Sequence, residues 1–434
     1  MLNRLKITGL LFILSIQIKP IMAQELQPIS KYKKSFTQEE SKQFKNEANL
    51  GEWLSGGDAS AWVNLRPAEA FPATAVLPNR LPAQPFPKAI IPEIGKIEAP
   101  TDEFGTISLD EFMAHPKNRT QGYLVVHKGE VVYESYPGMN PTDNHIWMSC
   151  AKTIPGLVIE LLIDEGKINE NDPIGKYVAA FKGTAWENIR VVDVMDMTTG
   201  LNIQEEIEGV SYGPGSIANR MLAAEFGMES DGKMETMVGV LQDAKKDYEP
   251  GTQFDYASVA TQALVLLGES VMDVRWSEYV DQHIWSKMYV ESPLLVHTTP
   301  DGYAIGHGMI SSRISDFARF GMLYTPSWDK VSNERVVTPK ILERIQKGTR
   351  SNEFYRKGYG PNIMDHLGDD QMVSNARQWD AVWEDGDLYK AGFQNQCLYV
   401  SPSRDLVIVI YSTSNDRSST RYARRIATSG LFEE

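Results

Sequence analysis

The stretch WMSCAKTIPG, residues 147–156, places Ser149 and Lys152 three residues apart at the start of an apolar run. Residues three apart on a helix share a face, so the lysine can reach the serine hydroxyl. On these residues alone two interpretations stay open: a nucleophile with its general base, or a helix cap with a surface lysine nearby. The run that follows has helical spacing, with apolar residues at Ile154, Leu157, Val158, Leu161 and Leu162.

The Ser-x-x-Lys spacing occurs four times in the chain, so spacing alone does not identify a site. The pairs that begin at Ser30, Ser230 and Ser327 lie in a polar leader or in turns. Only Ser149 stands between an apolar approach and a predicted helix. The first N–H groups of a helix lack internal partners and favour a developing negative charge. Pro155 lies beyond the first turn, where a helix tolerates proline best, so a kink can form there.

Two further segments carry residues of matching chemistry. PGTQFDYAS supplies Tyr256 and Ser258 after a Pro-Gly turn, and DLYKAGF supplies Lys390, Ala391 and Gly392 on a strand-like stretch. Taken singly, such a tyrosine is typical of half-buried packing and such a lysine of a solvated strand. In the order Ser-x-x-Lys, Tyr-x-Ser, Lys-x-Gly, they match the three signatures of the penicillin-recognising serine hydrolases.

On these motifs the chain resembles the β-lactamase-related serine hydrolases. That family includes class C β-lactamases, D-alanyl-D-alanine carboxypeptidases, family-VIII esterases and 6-aminohexanoate-dimer hydrolases. The last group is the most similar, through stretches such as MSCAKTIPGLVIELLIDEGKINENDPIGKYV and QCLYVSPSRDLVIV. The resemblance runs from about Trp62 to the C-terminus. It implies a β-lactamase/transpeptidase-like fold of the α/β (α+β) class, in which the N- and C-terminal parts form one antiparallel sheet. Helices would flank this sheet, and a large, mostly helical segment would be inserted.

The resemblance also implies catalytic roles. Ser149 would be the nucleophile that is acylated, and Lys152 and Tyr256 would share the general base and acid work. Free lysine and tyrosine side chains titrate near ~10.4 and ~10, so both are poor bases at neutral pH. Their mutual contact and the positive charge of Lys390 would favour deprotonation of one of them.

The family pattern further implies an oxyanion hole made by the backbone N–H groups of Ser149 and Phe393. Phe393 is chosen because it directly follows the Lys-x-Gly triplet. Ser258 would position the lysines or the substrate. Lys390, Ala391 and Gly392 of the triplet would face the substrate, and Lys390 would supply positive charge.

Two positions depart from the family pattern. Enzymes that act on β-lactams usually carry a hydroxyl in the middle of the third triplet, where it helps to bind the substrate carboxylate. Ala391 has none, and the missing charge-assisted hydrogen bond is worth about 1.5–3 kcal/mol. This favours ester or amide hydrolysis over β-lactamase or peptidase action. The 6-aminohexanoate-dimer hydrolases have a substrate-contacting tyrosine after the segment that matches MDMTTGL, where this chain has Ile203. That difference argues against the same amide substrate.

The remaining pattern predicts the layout of the chain. GYLVVHKGEVVYESY is typical of a hairpin around Lys128-Gly129. Helical patterns fill the middle, and two strands around a turn at 401–404 precede a closing helix. We therefore expect a signal peptide at 1–23, a polar leader with a proline-rich arm at 24–100, and the hydrolase domain at 101–434. The helical subdomain would span about 153–380.

Composition limits the class of protein. The 434 residues are 42% hydrophobic and 23% charged, as in a soluble globular protein, and the net charge of −14 argues against nucleic-acid binding. Arg4 and Lys6 precede an apolar stretch from Ile7 to Ile18, and Ala23 offers a cleavage position, which is typical of an export signal. The alternative is an uncleaved membrane anchor. We favour cleavage and a periplasmic or secreted protein without stable membrane insertion.

The chain is thus predicted to be a serine hydrolase for small esters or amides that needs no cofactor and no metal. The alternatives are a D-alanyl-D-alanine carboxypeptidase, a β-lactamase, or a catalytically silent sensor on the same fold. Cys150 and Cys397 are expected to be buried thiols, although the sequence does not exclude a bridge. The carboxylates of WEDGD lack full calcium-ligand spacing and predict a solvated turn at 384–387. The oligomeric state stays open.

Overall fold

The structure is a computed structural model that describes residues 26–433, apart from residues 35, 48–49, 72, 208–209, 349 and 370. The predicted signal segment 1–23 lies outside the described residues. The strands, in chain order, are β1 (Thr74–Leu77), β2 (Glu98–Pro100), β3 (Thr106–Ser108), β4 (Thr120–His127), β5 (Glu130–Ser135), β6 (His145–Ile146), β7 (Glu206–Ile207), β8 (Val210–Ser211), β9 (Leu294–His297), β10 (Ile310–Ser312), β11 (Met372–Ala376), β12 (Trp379–Trp383), β13 (Leu388–Gly392), β14 (Gln396–Ser401) and β15 (Leu406–Ser412).

The α-helices are α1 (Gln38–Glu47), α2 (Leu50–Leu54), α3 (Asp58–Leu65), α4 (Pro67–Ala70), α5 (Leu109–Ala114), α6 (Thr153–Asp164), α7 (Val191–Met195), α8 (Ile217–Glu225), α9 (Met237–Gln242), α10 (Ser258–Val271), α11 (Trp276–His283), α12 (Ile314–Met322), α13 (Pro339–Lys347), α14 (Asn352–Lys357), α15 (Gly360–Leu367) and α16 (Ser418–Ala427). Most of them lie between β5 and β11, so the middle of the chain is mainly helical, as predicted.

Strands from both ends of the chain form one antiparallel sheet, in the order β11-β12-β13-β14-β15-β4-β5. β15 pairs with β4 so that Val409 lies opposite Leu124. The hairpin between β4 and β5 turns at Lys128 and Gly129, whose φ angles of 48° and 77° are those of a type I′ turn. The predicted fold class is therefore confirmed.

Helices cover both faces of this sheet. Successive strand residues point to opposite faces. A Cβ on Gly321 of α12 would come within 2.9 Å of Leu398, whereas the next residue along β14, Tyr399, accepts a hydrogen bond from Arg424 of α16 at 3.1 Å. Two-sided cover explains why every residue of β14 and β15 is buried.

The N-terminal arm, residues 26–100, lies against this body. Its strand β1 forms one edge of a second, four-stranded sheet in the order β1-β9-β10-β6. Further along, the Ala89 N–H donates to the Val131 carbonyl of β5 at 2.9 Å, and the Val131 N–H donates to the Pro87 carbonyl at 2.8 Å. Pro67 and Pro92 begin short helices, where the first N–H has no helical partner, and Pro85 and Pro87 lie in extended chain, where the missing N–H costs no central ladder bond.

Two side-chain predictions have different outcomes. Cys150 and Cys397 are free and buried, as expected. The predicted solvated turn at 384–387 is wrong for Asp387, which is fully buried. Its carboxylate accepts hydrogen bonds from Arg424 at 2.7 Å and Arg404 at 3.2 Å, so an arginine pair stabilises it inside the protein.

Among the described residues, no helix combines the length and the apolar character needed to cross a bilayer.

Candidate active site

Ser149 lies in a 3₁₀ turn, Met148–Lys152, that leads into α6. It therefore precedes the α-helix and does not cap it. Met148 directly before it has a φ of 48°, a left-handed conformation that is rare for a non-glycine residue and common at functional turns. Because α6 begins at Thr153, Pro155 is its third residue. The first N–H groups of a helix have no partner inside it, so Pro155 removes no hydrogen bond of α6, and the kink that the sequence allows there is not required.

Lys152 is fully buried, which excludes the surface-lysine interpretation. Its Nζ donates to the Ser149 hydroxyl at 2.8 Å, to the Ser258 hydroxyl at 2.8 Å and to the His307 carbonyl at 2.9 Å. These three bonds use the full donor capacity of an ammonium group. Burial lowers the pKa of Lys152 to about 8, and the nearby carboxylate of Glu205 opposes that shift.

Tyr256 stands between the two lysines. Its hydroxyl hydrogen-bonds with the Ser149 side chain and lies 3.5 Å from Lys390 Nζ. The Nζ atoms of Lys152 and Lys390 lie 5.1 Å and 4.6 Å from its ring centroid. Burial raises the pKa of Tyr256 well above its usual value, so the phenol keeps its proton. The sequence alone did not decide which of Lys152 and Tyr256 loses its proton more readily. The opposite pKa shifts mean that Lys152 does.

Strand β13 lies directly against the nucleophile turn. The Cys150 thiol donates to the Lys390 carbonyl at 3.2 Å. A Cβ on Gly392 would come within 2.7 Å of the Trp147 carbonyl, so only glycine permits this approach. Phe393 follows at the end of β13 and, with Ser149, lines the adjoining cavity. The three predicted signatures thus meet at one place.

Sequence reasoning missed two carboxylates that hold these groups. Glu205 accepts the Ser258 N–H at 2.7 Å and the Ser258 hydroxyl, and its carboxylate lies 3.9 Å from Lys152 Nζ. Asp380 pairs with Lys390 and accepts the Ala391 N–H at 2.9 Å. Asp380 stands alone in the apolar strand WDAVW, a signal that could have been used, whereas the polar loop around Glu205 offers none.

The site opens into a cavity of about 320 Å³. Ile203 is buried in the core and does not line this cavity within the described part of the chain. Three residues that follow Ile203 in the sequence line it instead: Glu205, Glu206 and Tyr212. Besides Ser149, Tyr256 and Ala391, the lining includes Glu205, Glu206, Tyr212, Tyr359, Ile363, His366, Phe393, Asn395 and Arg417. In the described residues, no three His, Cys, Asp or Glu side chains cluster in a way that could hold a metal ion.

Comparisons with known proteins identify the family of the chain. The Beta-lactamase family model matches residues 109–431. The 6-aminohexanoate-dimer hydrolase of Paenarthrobacter ureafaciens is 26% identical over 373 residues, 85% of this chain and 89% of that protein. A Bacillus anthracis structure provisionally assigned as a 6-aminohexanoate-dimer hydrolase superposes with a TM-score of 0.71 at 21% identity, covering 87% of this chain and 93% of that one.

A class C β-lactamase shares the fold more distantly. It superposes with a TM-score of 0.52 at 14% identity and covers 75% of this chain and 95% of its own. Because the family match spans most of the chain, the protein belongs to the β-lactamase family and is a serine hydrolase that acts on amide or ester bonds.

Proposed function

We propose that the protein hydrolyses small esters or amides through an acyl-enzyme on Ser149, with Lys152 as the general base and Tyr256 as the proton relay. The observation that carries this proposal is the 2.8 Å hydrogen bond from Lys152 Nζ to the Ser149 hydroxyl, made by a lysine that is fully buried. Burial lowers the pKa of Lys152 to about 8, so a fraction of the molecules carry the neutral amine near physiological pH. A neutral amine in contact with a hydroxyl can accept its proton.

In acylation, one proton moves from Ser149 through Lys152 and Tyr256 to the leaving group. Ser149 Oγ loses its proton to the neutral Lys152 amine and attacks the substrate carbonyl carbon, whose oxygen becomes the oxyanion. Tyr256 gives its phenolic proton to the leaving nitrogen or oxygen as the C–N or C–O bond breaks, and is reprotonated from Lys152. Water repeats the sequence on the acyl-enzyme and restores Ser149.

Two backbone donors would stabilise the oxyanion. The N–H groups of Ser149 and Phe393 come from the 3₁₀ turn and from the end of β13, which the close approach of Gly392 holds together. Each such donor is worth roughly 3 kcal/mol of transition-state stabilisation. Lys390, paired with Asp380, would keep positive charge beside Tyr256.

An activity-based label tests the nucleophile. We expect a small alkyl phosphonate probe to add one adduct to the intact protein, and Ser149→Ala to abolish that mass shift. Ser327→Ala is the matched control, since Ser327 has the same spacing to a lysine but its hydroxyl donates to Asp405 at 2.5 Å. Absence of an adduct on folded wild-type protein, or an unchanged adduct in Ser149→Ala, would refute the proposal.

Turnover separates an enzyme from a silent sensor. We expect steady hydrolysis of p-nitrophenyl acetate or butyrate, lost in Lys152→Ala. The relative named as a 6-aminohexanoate-dimer hydrolase supports an amide as the physiological bond. A chain that binds these esters but releases no p-nitrophenol would be a sensor.

Penicillins are proposed to be poor substrates. Ala391 lines the cavity without a hydroxyl, and its N–H is already bonded to Asp380. We expect slow nitrocefin turnover in the wild type and faster turnover in Ala391→Thr, by about tenfold or more for one charge-assisted bond. Fast wild-type turnover would favour the β-lactamase alternative, and trimming of muropeptides would favour the carboxypeptidase.

A further inference from the structure

We propose that the N-terminal arm belongs to the catalytic apparatus: Asn64 and the Trp53 carbonyl act through Gln394 to hold the Phe393 N–H in the oxyanion hole. This inference rests on the proposed function, since it requires that Phe393 donates to a reacting carbonyl. Asn64 and Gln394 would be positioning residues. Gln394 lines the cavity, but its side-chain amide is bonded to Asn64 and to the Trp53 carbonyl, and Asn64 is not among the described residues that line the cavity.

The loop that carries Phe393 needs external support. Gln394 and Asn395, the next two residues, have φ angles of 59° and 64°. Non-glycine residues in this left-handed region are strained and persist only where the surrounding structure holds them. Two in succession would relax toward ordinary conformations without such contacts, and that relaxation would rotate the peptide on which the proposed oxyanion donor sits.

The arm supplies these contacts to Gln394. The side chain of Gln394 is buried, its Oε1 accepts a hydrogen bond from Asn64 Nδ2 at 2.8 Å, and its Nε2 donates to the Trp53 carbonyl at 2.7 Å. The Trp53 indole N–H donates to Asn64 Oδ1 at 3.0 Å. That bond fixes the orientation of the Asn64 amide, so both side-chain amides are satisfied in a single arrangement.

The arm also contacts the neighbouring wall of the cavity, through Ser55. Asn415 lines the cavity and donates from Nδ2 to the Ser55 carbonyl at 2.9 Å. Asn395 donates from Nδ2 to the Ser414 carbonyl at 3.0 Å, which ties the two walls together. Residues 53–55 thus stand directly behind both loops that border the cavity beside Phe393.

These contacts join distant parts of the chain. Asn64 and Gln394 are 330 residues apart, and Trp53 and Gln394 are 341 apart. Trp53 and Asn64 also lie outside the segment 109–431 that matches the family. These contacts therefore join the arm to the segment that the family model matches.

We call the hydrogen bonds of Gln394 to Asn64 and to the Trp53 carbonyl the clamp. The experiment compares full-length variants that lose the clamp with one that loses a different hydrogen bond of the arm. Gln394→Met and Asn64→Leu keep side-chain size but remove the amide bonds. Tyr32→Phe is the control, because it removes a partly buried hydrogen bond to Asp58 within the arm and leaves Gln394 untouched. Measurements are kcat and KM for p-nitrophenyl butyrate, the rate of phosphonate labelling, and thermal unfolding.

We expect Gln394→Met and Asn64→Leu to lower kcat and the labelling rate by on the order of 10- to 100-fold, as a misplaced oxyanion donor does, with KM changed less than about threefold. The double variant should lose no more than the worse single variant, because both act through one contact. Tyr32→Phe should keep kcat within about twofold even if it unfolds at a lower temperature.

If Gln394→Met does not fold, Asn64→Asp gives the same test, since it keeps the acceptor for the indole and loses the donor to Gln394. Unchanged kcat in a folded clamp variant, an equal loss in Tyr32→Phe, or multiplicative losses in the double variant would overturn the inference. A wild-type protein that is never labelled at Ser149 would instead refute the proposed function. Labelled wild type with unaffected clamp variants would refute only the role of the arm.

Discussion

At the scale of single residues, burial separates the pKa values of Lys152 and Tyr256. Lys152 and Tyr256 have similar pKa values when free. Inside the protein, burial lowers the pKa of Lys152 to about 8 and raises that of Tyr256, because removal from water penalises the charged form of each. The shifts therefore move in opposite directions, and the cation becomes the group that loses its proton first.

The proposed role of Lys152 predicts the pH dependence of the reaction. The neutral amine is the active form, so kcat/KM should rise with pH and level off above an inflection near 8, the lowered pKa of Lys152. Lys152→Met should lower kcat/KM by about 10²–10⁴-fold, as loss of a general base does. Lys330→Met is a matched control, since Lys330 has the same spacing from a serine but donates to the Lys128 carbonyl at 2.6 Å. A flat profile from pH 6 to 9 would exclude a titrating lysine base.

At the scale of elements, the site depends on how closely β13 approaches the 3₁₀ turn. Gly392 faces the Trp147 carbonyl and the Gln396 side chain, where a Cβ would come within 2.7 Å and 2.6 Å. Contacts below 3 Å between such atoms force the backbone apart. This spacing sets the distance between the N–H groups of Ser149 and Phe393.

A methyl group at Gly392 should therefore damage stability and activity together. We expect Gly392→Ala to lower the free energy of unfolding by about 1–3 kcal/mol through overpacking, and to lower kcat more than binding. Gly308→Ala is the control, because its Cβ would meet Met148 on the same turn at 3.7 Å, an ordinary contact distance. Denaturant unfolding and steady-state kinetics measure both effects. Equal behaviour of the two variants would mean that β13 can move without consequence.

At the scale of the whole molecule, segments from the N-terminal and C-terminal parts of the chain are in direct contact. β4 and β15 pair in the central sheet, and the N-terminal arm packs on the loops beside the cavity. Trp53 and Asn64, the arm residues that contact Gln394, follow the cleavage position that the sequence predicts at Ala23. An exported chain would therefore keep the whole clamp after processing.

We accordingly expect an exported protein whose mature chain begins at Gln24. Intact mass and N-terminal sequencing of the protein recovered from the periplasm or medium of a bacterial host check this directly. Leu14→Arg, which interrupts the apolar run with a charge, should retain the precursor inside the cell. Recovery of a chain that still carries Met1 outside the cytoplasm would contradict the predicted cleavage.

The sequence by itself determined the features that local chemistry encodes. The β4–β5 hairpin follows from Lys128-Gly129, because a two-residue turn with positive φ fits this pair. The candidate nucleophile follows from Ser149 and Lys152, because this is the one Ser-x-x-Lys pair of the sequence that stands between an apolar approach and a predicted helix. The order of three signatures was enough to predict the family and the antiparallel sheet.

Only the tertiary structure decided the rest. Lys152 is buried, and its pKa is lowered, in an environment built by residues distant in sequence, such as its hydrogen-bond partners Ser258 and the His307 carbonyl. Glu205 and the contact of Asn64 with Gln394 likewise carry no local pattern. Asp380 does stand out in the apolar strand WDAVW, but that pattern does not reveal its partner Lys390. The physical reason is that hydrogen bonding and desolvation act between groups that are close in space, and spacing along the chain fixes that closeness only for near neighbours.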